Sequence, residues 1–553
     1  MFVKREWLLV MTGPVVTILI TPTINFDPIN ISKFAILMIL SCLTFSQTMV
    51  EIWAKKFKEY RMVLVVAILF IVALVFPLIF TRAPLAQQLY GVYGRNTGFF
   101  HYLALLLIVL AAIQLSNKKL MTNVLVGLSA TGVFEVLYAF LQILKIDPVV
   151  WQNSNNWLMG TLGNPNFMSA FLAISLISTF GLLLQTKRNP IRLFLLFDIG
   201  CTLFVILKTG SLQGLVMTAT GILLFLYFLI QRSTKYKSLS NYYLVGFFGL
   251  GAMAIAGIFQ IGPLASLLYK NSISYRGFYW DAAIEMTKTS PYFGVGLDSY
   301  GDYYRSARSI EAVTSRGPNV VTDSAHNVFL DLSSGGGISL ALIYAFVFVY
   351  AMIKGYEYSK KENLDFTVTA GFIILVTLFA QSFLSINNSS ISVWIAIFLG
   401  LLIGYNKLPS ARVSEVNRKF KGNKIRKVQL PRNLRLIPLA VSLLVGIVIS
   451  GPAFARDAQF LSTYNQGKTD EIVSVSTSWP QDSTRMSAIA LVLNKNNHSE
   501  ESKDIIKFAL QFNPRDFASY QALTENSLFS PAEISAARTS MKNLDPLNPD
   551  LAK

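Results

Sequence analysis

The chain has 553 residues, of which 53% are hydrophobic and only 14% are charged, whereas soluble proteins usually carry about 25% charged residues. This composition excludes an ordinary water-soluble globular protein. The formal net charge of +18 would favour nucleic-acid binding in a soluble protein, but membrane proteins also collect lysine and arginine in their cytoplasmic loops. The basic residues follow that second pattern, so we expect no nucleic-acid partner.

Thirteen apolar segments are close to the length of about 20 residues that a helix needs to cross a bilayer. In chain order they cover residues 7–21, 34–50, 62–80, 99–115, 120–145, 167–185, 193–208, 212–230, 242–262, 336–355, 366–386, 390–406 and 436–454. They predict an all-α protein whose core, residues 1–406, is a polytopic transmembrane helical bundle of about twelve spans. Residues 436–454 are predicted to form one further, linking transmembrane helix. The first segment follows Lys4 and Arg5 as a signal peptide would, but no small-residue cleavage site stands out after it, so we interpret it as a retained helix.

The distribution of basic residues predicts the orientation of these spans. Lysine and arginine clusters occur in alternate connections, at residues 55–58, 118–119, 187–188, 232–237, 360–361 and 407–435. By the positive-inside rule these connections are cytoplasmic, which places the N-terminus in the cytoplasm. Residues 407–435 then form a basic cytoplasmic linker, and the chain beyond the last span is extracytoplasmic. The same charge favours contact with anionic membrane lipids.

Two long segments are predicted on the outer side, a loop at about residues 263–335 and a C-terminal domain, residues 455–553. The C-terminal domain has the pattern of a small soluble α-helical domain. Its Asn-Pro pairs at Asn513 and Asn548 lie 35 residues apart and enclose two short amphipathic stretches, residues 517–528 and 532–544. This spacing is close to the period of tetratricopeptide repeats, although an unrelated helical domain would have the same appearance. A repeat domain would offer a surface for a protein partner.

The outer loop carries side chains suited to phosphate binding and proton transfer. Arg276 and Trp280 are four residues apart, so a helix would place them on one face. An arginine binds phosphate oxygens in a fork, and a tryptophan suits the headgroup level of a membrane. His326 is the only histidine of the loop, and an ordinary histidine pKa of about 6.5 suits a general base. Each residue also has a plainer interpretation, a headgroup contact for Arg276 and a structural role for His326.

The sequence indicates no metal site and no cofactor site. The three histidines are far apart along the chain, and the two cysteines lie inside apolar segments. No Cys/His spacing resembles a zinc site, and the aspartates of the outer loop lack the spacing of a calcium loop.

Four motifs occur in order along the membrane core. They are residues 93–98 before the fourth span, residues 160–166 before the sixth, the run from Arg276 through Trp280 to residues 294–296, and His326-Asn327 with Gly337 opening the next span. Together they resemble the O-antigen ligase and O-antigen polymerase family of bacterial membrane glycosyltransferases, over roughly residues 60–405. One feature departs from the family, because many relatives carry a Ser-Arg pair before the eighth span and here Ser211 is followed by Leu212. Lys208 or Arg95 could supply the missing charge.

The resemblance implies a multi-pass glycosyltransferase of the bacterial plasma membrane. A glycan would pass from a polyisoprenyl diphosphate donor to a hydroxyl group of a glycan, lipid or protein acceptor, without a metal ion. The implied catalytic residues are His326, as general base, and Arg276, which stabilises the diphosphate charge. The implied substrate-binding residues are Arg95, Asn164, Asn166, Trp280, Arg305 and Asn327. Ligase, polymerase and protein O-glycosyltransferase activities stay open as alternatives.

A transporter or flippase for a lipid-linked glycan or another solute is a second hypothesis. Glu135 and Asp198 are acids within predicted spans, and such residues often mark proton or ion paths. A hydrogen bond between helices would explain them equally well. The sequence has no clear internal repeat of the kind that many transporters have, and the predicted site lies in an outer loop instead of the membrane midplane, so we favour the enzyme.

Overall fold

The computed structural model describes residues 5–55, 57–151, 153, 156–258, 261–265, 275–361, 366–405 and 432–551. Within these residues there are twenty-three α-helices and three short 3-10 helices, and no β-strand. The predicted all-α class is therefore confirmed.

The helices fall into three groups. The membrane core comprises α1 (Arg5–Ile18), α2 (Asn30–Lys55), α3 (Phe57–Phe80), α4 (Leu85–Tyr90), α5 (Phe99–Leu115), α6 (Lys118–Ile143), α7 (Pro165–Gln185), α8 (Asn189–Lys208), α9 (Leu212–Arg232), α10 (Ser240–Ile258), α15 (Ile338–Ser359), α16 (Phe366–Ser382) and α17 (Ser389–Gly404). The outer loop contains α11 (Arg276–Thr289), α12 (Tyr300–Ala307), α13 (Ile310–Arg316) and α14 (Val328–Gly336). The C-terminal part contains α18 (Arg432–Asn465), α19 (Thr469–Thr477), α20 (Ser483–Lys495), α21 (Ser499–Phe512), α22 (Phe517–Glu525) and α23 (Pro531–Leu544).

Each of the thirteen apolar segments predicted from the sequence overlaps one of these helices. In the described parts of the chain, seven helices are long and apolar enough to cross a membrane, namely α3, α6, α7, α8, α9, α15 and α18. Shorter apolar stretches of 10–17 residues in α1, α2, α5, α16 and α17 pack among them. Multiple apolar helices confirm a multi-pass membrane protein, whereas the number of crossings stays a prediction.

Helix α17 lies at the centre of the bundle, and all of its residues are buried. It packs directly on α5, because Gly400 has no side chain there. A Cβ atom added at Gly400 would lie 2.5 Å from the carbonyl oxygen of Val109 and from the Cβ of Ala112. Small residues at such contacts allow two membrane helices to approach closely. The other end of α17 begins at Ser389, directly after Asn387 and Asn388, which border the site described below.

A buried lysine joins three parts of the core. The Nζ of Lys33 donates hydrogen bonds to the carbonyl oxygens of Thr17 (2.6 Å) and Thr161 (2.8 Å) and to the Oγ of Ser390 (2.8 Å). Its side chain is fully buried, and a buried ammonium is tolerated only when its donors are satisfied. The contacts hold α1, α17 and the segment before α7 in one arrangement.

The two intramembrane acids form hydrogen bonds within the bundle. Glu135 accepts hydrogen bonds from the backbone N–H and the hydroxyl of Thr161. Asp198 accepts from Thr179 of α7 (3.0 Å) and from Thr202 of its own helix (3.4 Å). Both carboxyls therefore have partners that connect different segments, which accounts for them without an ion path.

Helix α18 is longer than the span predicted at residues 436–454. Its 34 residues correspond to about 50 Å at 1.5 Å per residue, against a hydrocarbon thickness of about 30 Å. It packs along α2 and continues to Asn465, so the predicted domain boundary at residue 455 falls inside a continuous helix. Residues 407–431, most of the predicted cytoplasmic linker, lie outside the described residues.

The C-terminal domain is built from short helices with their own apolar core. Helices α20 and α21 pack against each other, as do α22 and α23, and buried residues such as Met486, Ile505 and Ala522 lie between them. The two amphipathic stretches predicted there coincide with α22 and α23. The assignment to tetratricopeptide repeats stays a prediction.

Candidate functional site

Arg95 lies at the centre of the polar region between the core and the outer loop. Its guanidinium donates to the Oδ1 of Asp298 (2.5 Å) and to the carbonyl oxygen of Asp323 (2.5 Å). The other carboxylate oxygen of Asp298 accepts from the backbone N–H of Val92 (2.8 Å) and from the hydroxyl of Thr97 (3.1 Å). The Arg95 side chain is only 11% exposed, so these bonds fix its position relative to the outer loop.

A polar cavity of 220 Å³ opens beside Arg95. Four asparagines, Asn30, Asn164, Asn387 and Asn388, line it together with Arg95. The structure thus brings together two residues that the sequence predicted, Arg95 and Asn164, and adds Asn387 and Asn388. Amide and guanidinium N–H groups are donors to oxyanions.

Two helices begin at this cavity. Asn164 is the N-cap of α7 and accepts from the backbone N–H of Asn166 (2.8 Å). Asn388 is the N-cap of α17 and accepts from the backbone N–H of Ser390 (2.8 Å). A helix N-terminus carries partial positive charge and unpaired backbone N–H groups, which favour anions. The cavity therefore has the electrostatic character of a phosphate site.

Arg276 and His326 lie on the outer-loop side of the same region. Arg276 is the first residue of α11 and donates to the carbonyl oxygen of Leu384, two residues before Ile386 of the cavity wall. The ring of His326 stacks on Tyr279 with 5.6 Å between ring centroids. In the described part of the chain no residue makes a hydrogen bond to a ring nitrogen of His326, so both nitrogens are free for a substrate.

Burial and nearby cations keep the His326 imidazole neutral. Burial lowers its pKa to about 4, helped by the positive charges of Arg276 and Arg95 and opposed by Asp323. A neutral imidazole can accept a proton at pH 7, although a low pKa makes it a weak base. A bound diphosphate would place negative charge beside the two arginines and would raise the histidine pKa.

The surroundings of His326 fix where its ring points. His326 has a left-handed backbone, with φ of 53°, and the next residue, Asn327, caps α14 by accepting from the backbone N–H groups of Phe329 (3.0 Å) and Leu330 (3.2 Å). Asn327 therefore holds the segment that carries the histidine, and its contact with substrate stays a prediction. Tyr279, which stacks on the ring, is itself held by a hydrogen bond from Arg316. Sequence reasoning did not assign Tyr279 or Arg316 to the site.

Asp331 is a further residue of this region that the sequence did not assign to the site. It accepts from the backbone N–H of Ala325 (2.7 Å) and lines a small cavity of 20 Å³ together with Arg95, Tyr102 and Asn387. Burial raises its pKa to about 7, while the positive charge of Arg95 opposes that rise. Among the described residues, no group of three or more histidine, cysteine, aspartate or glutamate side chains is arranged to hold a metal ion.

The other predicted binding residues lie in different surroundings. Arg305 is engaged by Asp545 of the C-terminal domain (2.8 Å) and does not line the Arg95 cavity. The Oδ1 of Asn166 accepts from the hydroxyl of Ser211 (2.8 Å), at the point where the arginine of the family's Ser-Arg pair is missing. Trp280 belongs to the apolar cluster of the outer loop, and among the described residues its buried indole N–H has no hydrogen-bond partner.

Of the two cations considered as substitutes for the missing arginine, only Arg95 lies at the cavity. Lys208 lies over the ring of Phe204, 5.5 Å from its centroid. Arg95 instead lines both polar cavities. This position makes Arg95 the better candidate to supply the charge of the missing arginine.

The fold and this site define a helical, multi-pass membrane protein with a polar centre, lined by Arg95 and asparagines, next to an outer loop. The family model described as O-antigen ligase matches residues 197–345, which extend from α8 through the outer loop with Arg276 and His326 to the start of α15. The predicted resemblance to O-antigen ligase-like proteins is therefore confirmed for this region, and it indicates a glycosyl-transferring membrane enzyme. No curated protein matches the chain.

Proposed function

We propose that the protein transfers a glycan from a polyisoprenyl diphosphate carrier to an acceptor hydroxyl at the outer face of a bacterial plasma membrane. The observation that carries this proposal is the cavity beside Arg95, which combines a guanidinium, asparagine amides and the N-termini of α7 and α17. His326 and Arg276 lie close enough to this centre for Arg276 and Arg95 to perturb the histidine pKa. Such a set of groups suits a diphosphate leaving group and a base beside it.

An apolar groove supports the lipid part of the proposed donor. The groove has a volume of 260 Å³, is bounded by α3, α5, α15 and α17, and is lined almost wholly by apolar residues such as Phe70, Leu105 and Val347. Tyr102 lines this groove and also the small polar cavity of Arg95 and Asp331. A polyisoprenyl chain in the groove would therefore bring its diphosphate to Arg95.

The proposed reaction is a single displacement. His326 accepts the proton of the acceptor hydroxyl as that oxygen bonds to the anomeric carbon of the donor. The bond between the anomeric carbon and the diphosphate oxygen breaks, and the carrier leaves as the diphosphate. Arg276 and Arg95 stabilise the charge that grows on this leaving group. Because a diphosphate leaves readily, we propose that no metal is required, and activity should persist with a chelator present.

The proposed orientation follows the positive-inside rule. The N-terminus is cytoplasmic, and the outer loop and C-terminal domain are extracytoplasmic. The donor, the acceptor and the surrounding membrane lipids are then the partners of the core. The acceptor is a glycan, a lipid or a protein.

The test uses purified protein and lipid-linked glycan extracted from a bacterial strain that lacks the protein. His326→Ala should reduce the release of the diphosphate carrier about 10²- to 10⁴-fold at saturating donor while donor binding is retained. The matched control is His498→Ala, the same substitution at a half-buried histidine of the C-terminal domain, which should leave the rate unchanged. Turnover of His326→Ala within about threefold of the original protein would rule out the base role. If the intact donor crosses the membrane of vesicles that contain the protein and no diphosphate carrier is released, the transporter hypothesis is favoured.

A further inference from the structure

The C-terminal domain is fixed to the outer loop by buried charged groups. Asp545 accepts two hydrogen bonds from Arg308 (2.7 and 2.8 Å) and one from Arg305 (2.8 Å). Neither Asp545 nor Arg308 has any exposed side-chain surface. A second contact joins Asn513 to Asp302 (3.1 Å). The two parts of the chain therefore form one continuous surface.

A cleft of 430 Å³ lies between them. The outer loop contributes Asp302, Thr322 and Asp323 to its walls, and the C-terminal domain contributes Thr484, Arg515 and Asp516. This volume is in the range of small-molecule pockets, about 300–1,000 Å³. The walls offer acceptors and donors side by side, which suits a ligand rich in hydroxyl groups.

The cleft adjoins the asparagine cavity through the contact between Arg95 and Asp323. Asp323 lines the cleft and accepts from Arg95 through its carbonyl oxygen, and Arg95 in turn lines the asparagine cavity. His326 follows Asp323 by three residues. The Arg95–Asp323 contact thus separates two polar spaces, with His326 close to their boundary.

From this arrangement we propose that the cleft between the outer loop and the C-terminal domain binds the acceptor, as a hydroxyl-rich carbohydrate chain. This inference rests on the proposed glycosyl transfer. A displacement reaction needs the leaving group and the attacking hydroxyl on opposite sides of the reacting carbon. The asparagine cavity suits the leaving diphosphate, and the cleft provides the space from which an acceptor hydroxyl can reach His326. The C-terminal domain is then one wall of the acceptor site.

The test blocks the cleft after the protein has folded. Thr484 is exposed at the start of α20 and belongs to neither the base nor the diphosphate site. A Thr484→Cys variant is purified in a background with Cys42→Ala and Cys201→Ala and is then labelled with a bulky maleimide. The matched control is Thr539→Cys, at an exposed threonine of α23 outside the cleft, labelled in the same way.

Two quantities are measured for each protein. One is glycan transfer in membranes of a strain lacking the protein, which supply donor and acceptor, and the other is retention of radiolabelled lipid-linked glycan by the purified protein. Labelling Thr484→Cys should reduce transfer roughly tenfold or more and leave donor retention within about twofold. Labelled Thr539→Cys should match the unlabelled protein in glycan transfer and in donor retention.

Unchanged transfer after labelling at residue 484 would overturn the proposal. A parallel loss of donor retention would also overturn it, because the cleft would then hold the donor glycan. If the unlabelled protein releases no diphosphate carrier at all, the glycosyl-transfer function itself fails, and the acceptor site fails with it.

Discussion

Replacing Asp545 with alanine should detach the C-terminal domain from the outer loop. The substitution leaves the Arg308 guanidinium buried without a carboxylate, whereas Arg305 is 15% exposed and can turn toward water. Removing one partner of a buried ion pair costs about 3–5 kcal/mol. Since 1.4 kcal/mol corresponds to a factor of ten, the equilibrium between docked and detached domain should shift by about 10²- to 10³-fold or more.

Hydrogen–deuterium exchange measures this shift directly. Backbone amides of α12 and α23, which lie at the contact, should exchange about 10²-fold faster or more in Asp545→Ala, whereas amides of α7 and α17 should be unaffected. Asp550→Ala is the matched control, because Asp550 is an exposed acid five residues away. The double variant Arg308→Ala/Asp545→Ala removes both charges. Its loss of docking free energy should be smaller than the sum of the losses in the two single variants. Exchange in Asp545→Ala within about threefold of the original protein would show that the ion pair does not hold the domain.

Four further outcomes are expected. Because His326 must be neutral and has a pKa of about 4, kcat/KM should stay constant as the pH falls from 7 and should decline only near that value; a decline near the ordinary histidine pKa of about 6.5 would contradict the burial argument. Arg276→Lys should lose most activity with normal accumulation in the membrane, since an ammonium cannot form a fork with phosphate oxygens; a fully active variant would argue against that role. Asn327→Ala should destabilise the start of α14 by about 1 kcal/mol and lower turnover, and Asn327→Ser, which keeps a capping oxygen, should restore much of it; equal rates for both variants would exclude a capping effect. Thr539→Cys should react with an impermeant maleimide in intact spheroplasts, and labelling only after lysis would reverse the proposed orientation.

The helical fold could be predicted because hydrocarbon thickness imposes a length on every apolar segment. The same rule explains why the predicted span ends at residue 454, whereas α18 continues to Asn465. Hydropathy reports where a segment leaves the hydrocarbon, not where its backbone hydrogen bonds stop. Residues 455–465 are more polar, but they form helix readily, so α18 continues to Asn465. Lys33 was overlooked for a related reason, since a lysine next to an apolar run has the appearance of a span boundary, and only the packed structure places its ammonium against three acceptors.

The site was predicted unevenly because its residues come from distant parts of the sequence. The family motifs pointed to Arg276, His326 and Asn164. Asn387 and Asn388 were missed, since they lie in a short connection between two apolar helices and only the folded core brings them beside Arg95. An asparagine directly before an apolar run is a helix-cap signal, and that signal could have identified Asn388. Arginines of the outer loop cannot be distinguished by sequence alone, because their partners are far away along the chain.

The charge balance of those arginines distinguishes the proposed catalytic role of Arg276 from the pairing roles of Arg305 and Arg308. Arg305 and Arg308 are paired with the carboxylate of Asp545, so an incoming phosphate would have to compete with a buried ion pair. Arg95 is paired with Asp298, so in the proposed reaction it supports the diphosphate with less uncompensated charge than Arg276. Arg276 differs, because its hydrogen bond in the described structure goes to a neutral carbonyl oxygen and no described carboxylate lies within 4.0 Å. Its positive charge is therefore available to a diphosphate, which makes Arg276 the arginine whose replacement should affect the transition state most strongly.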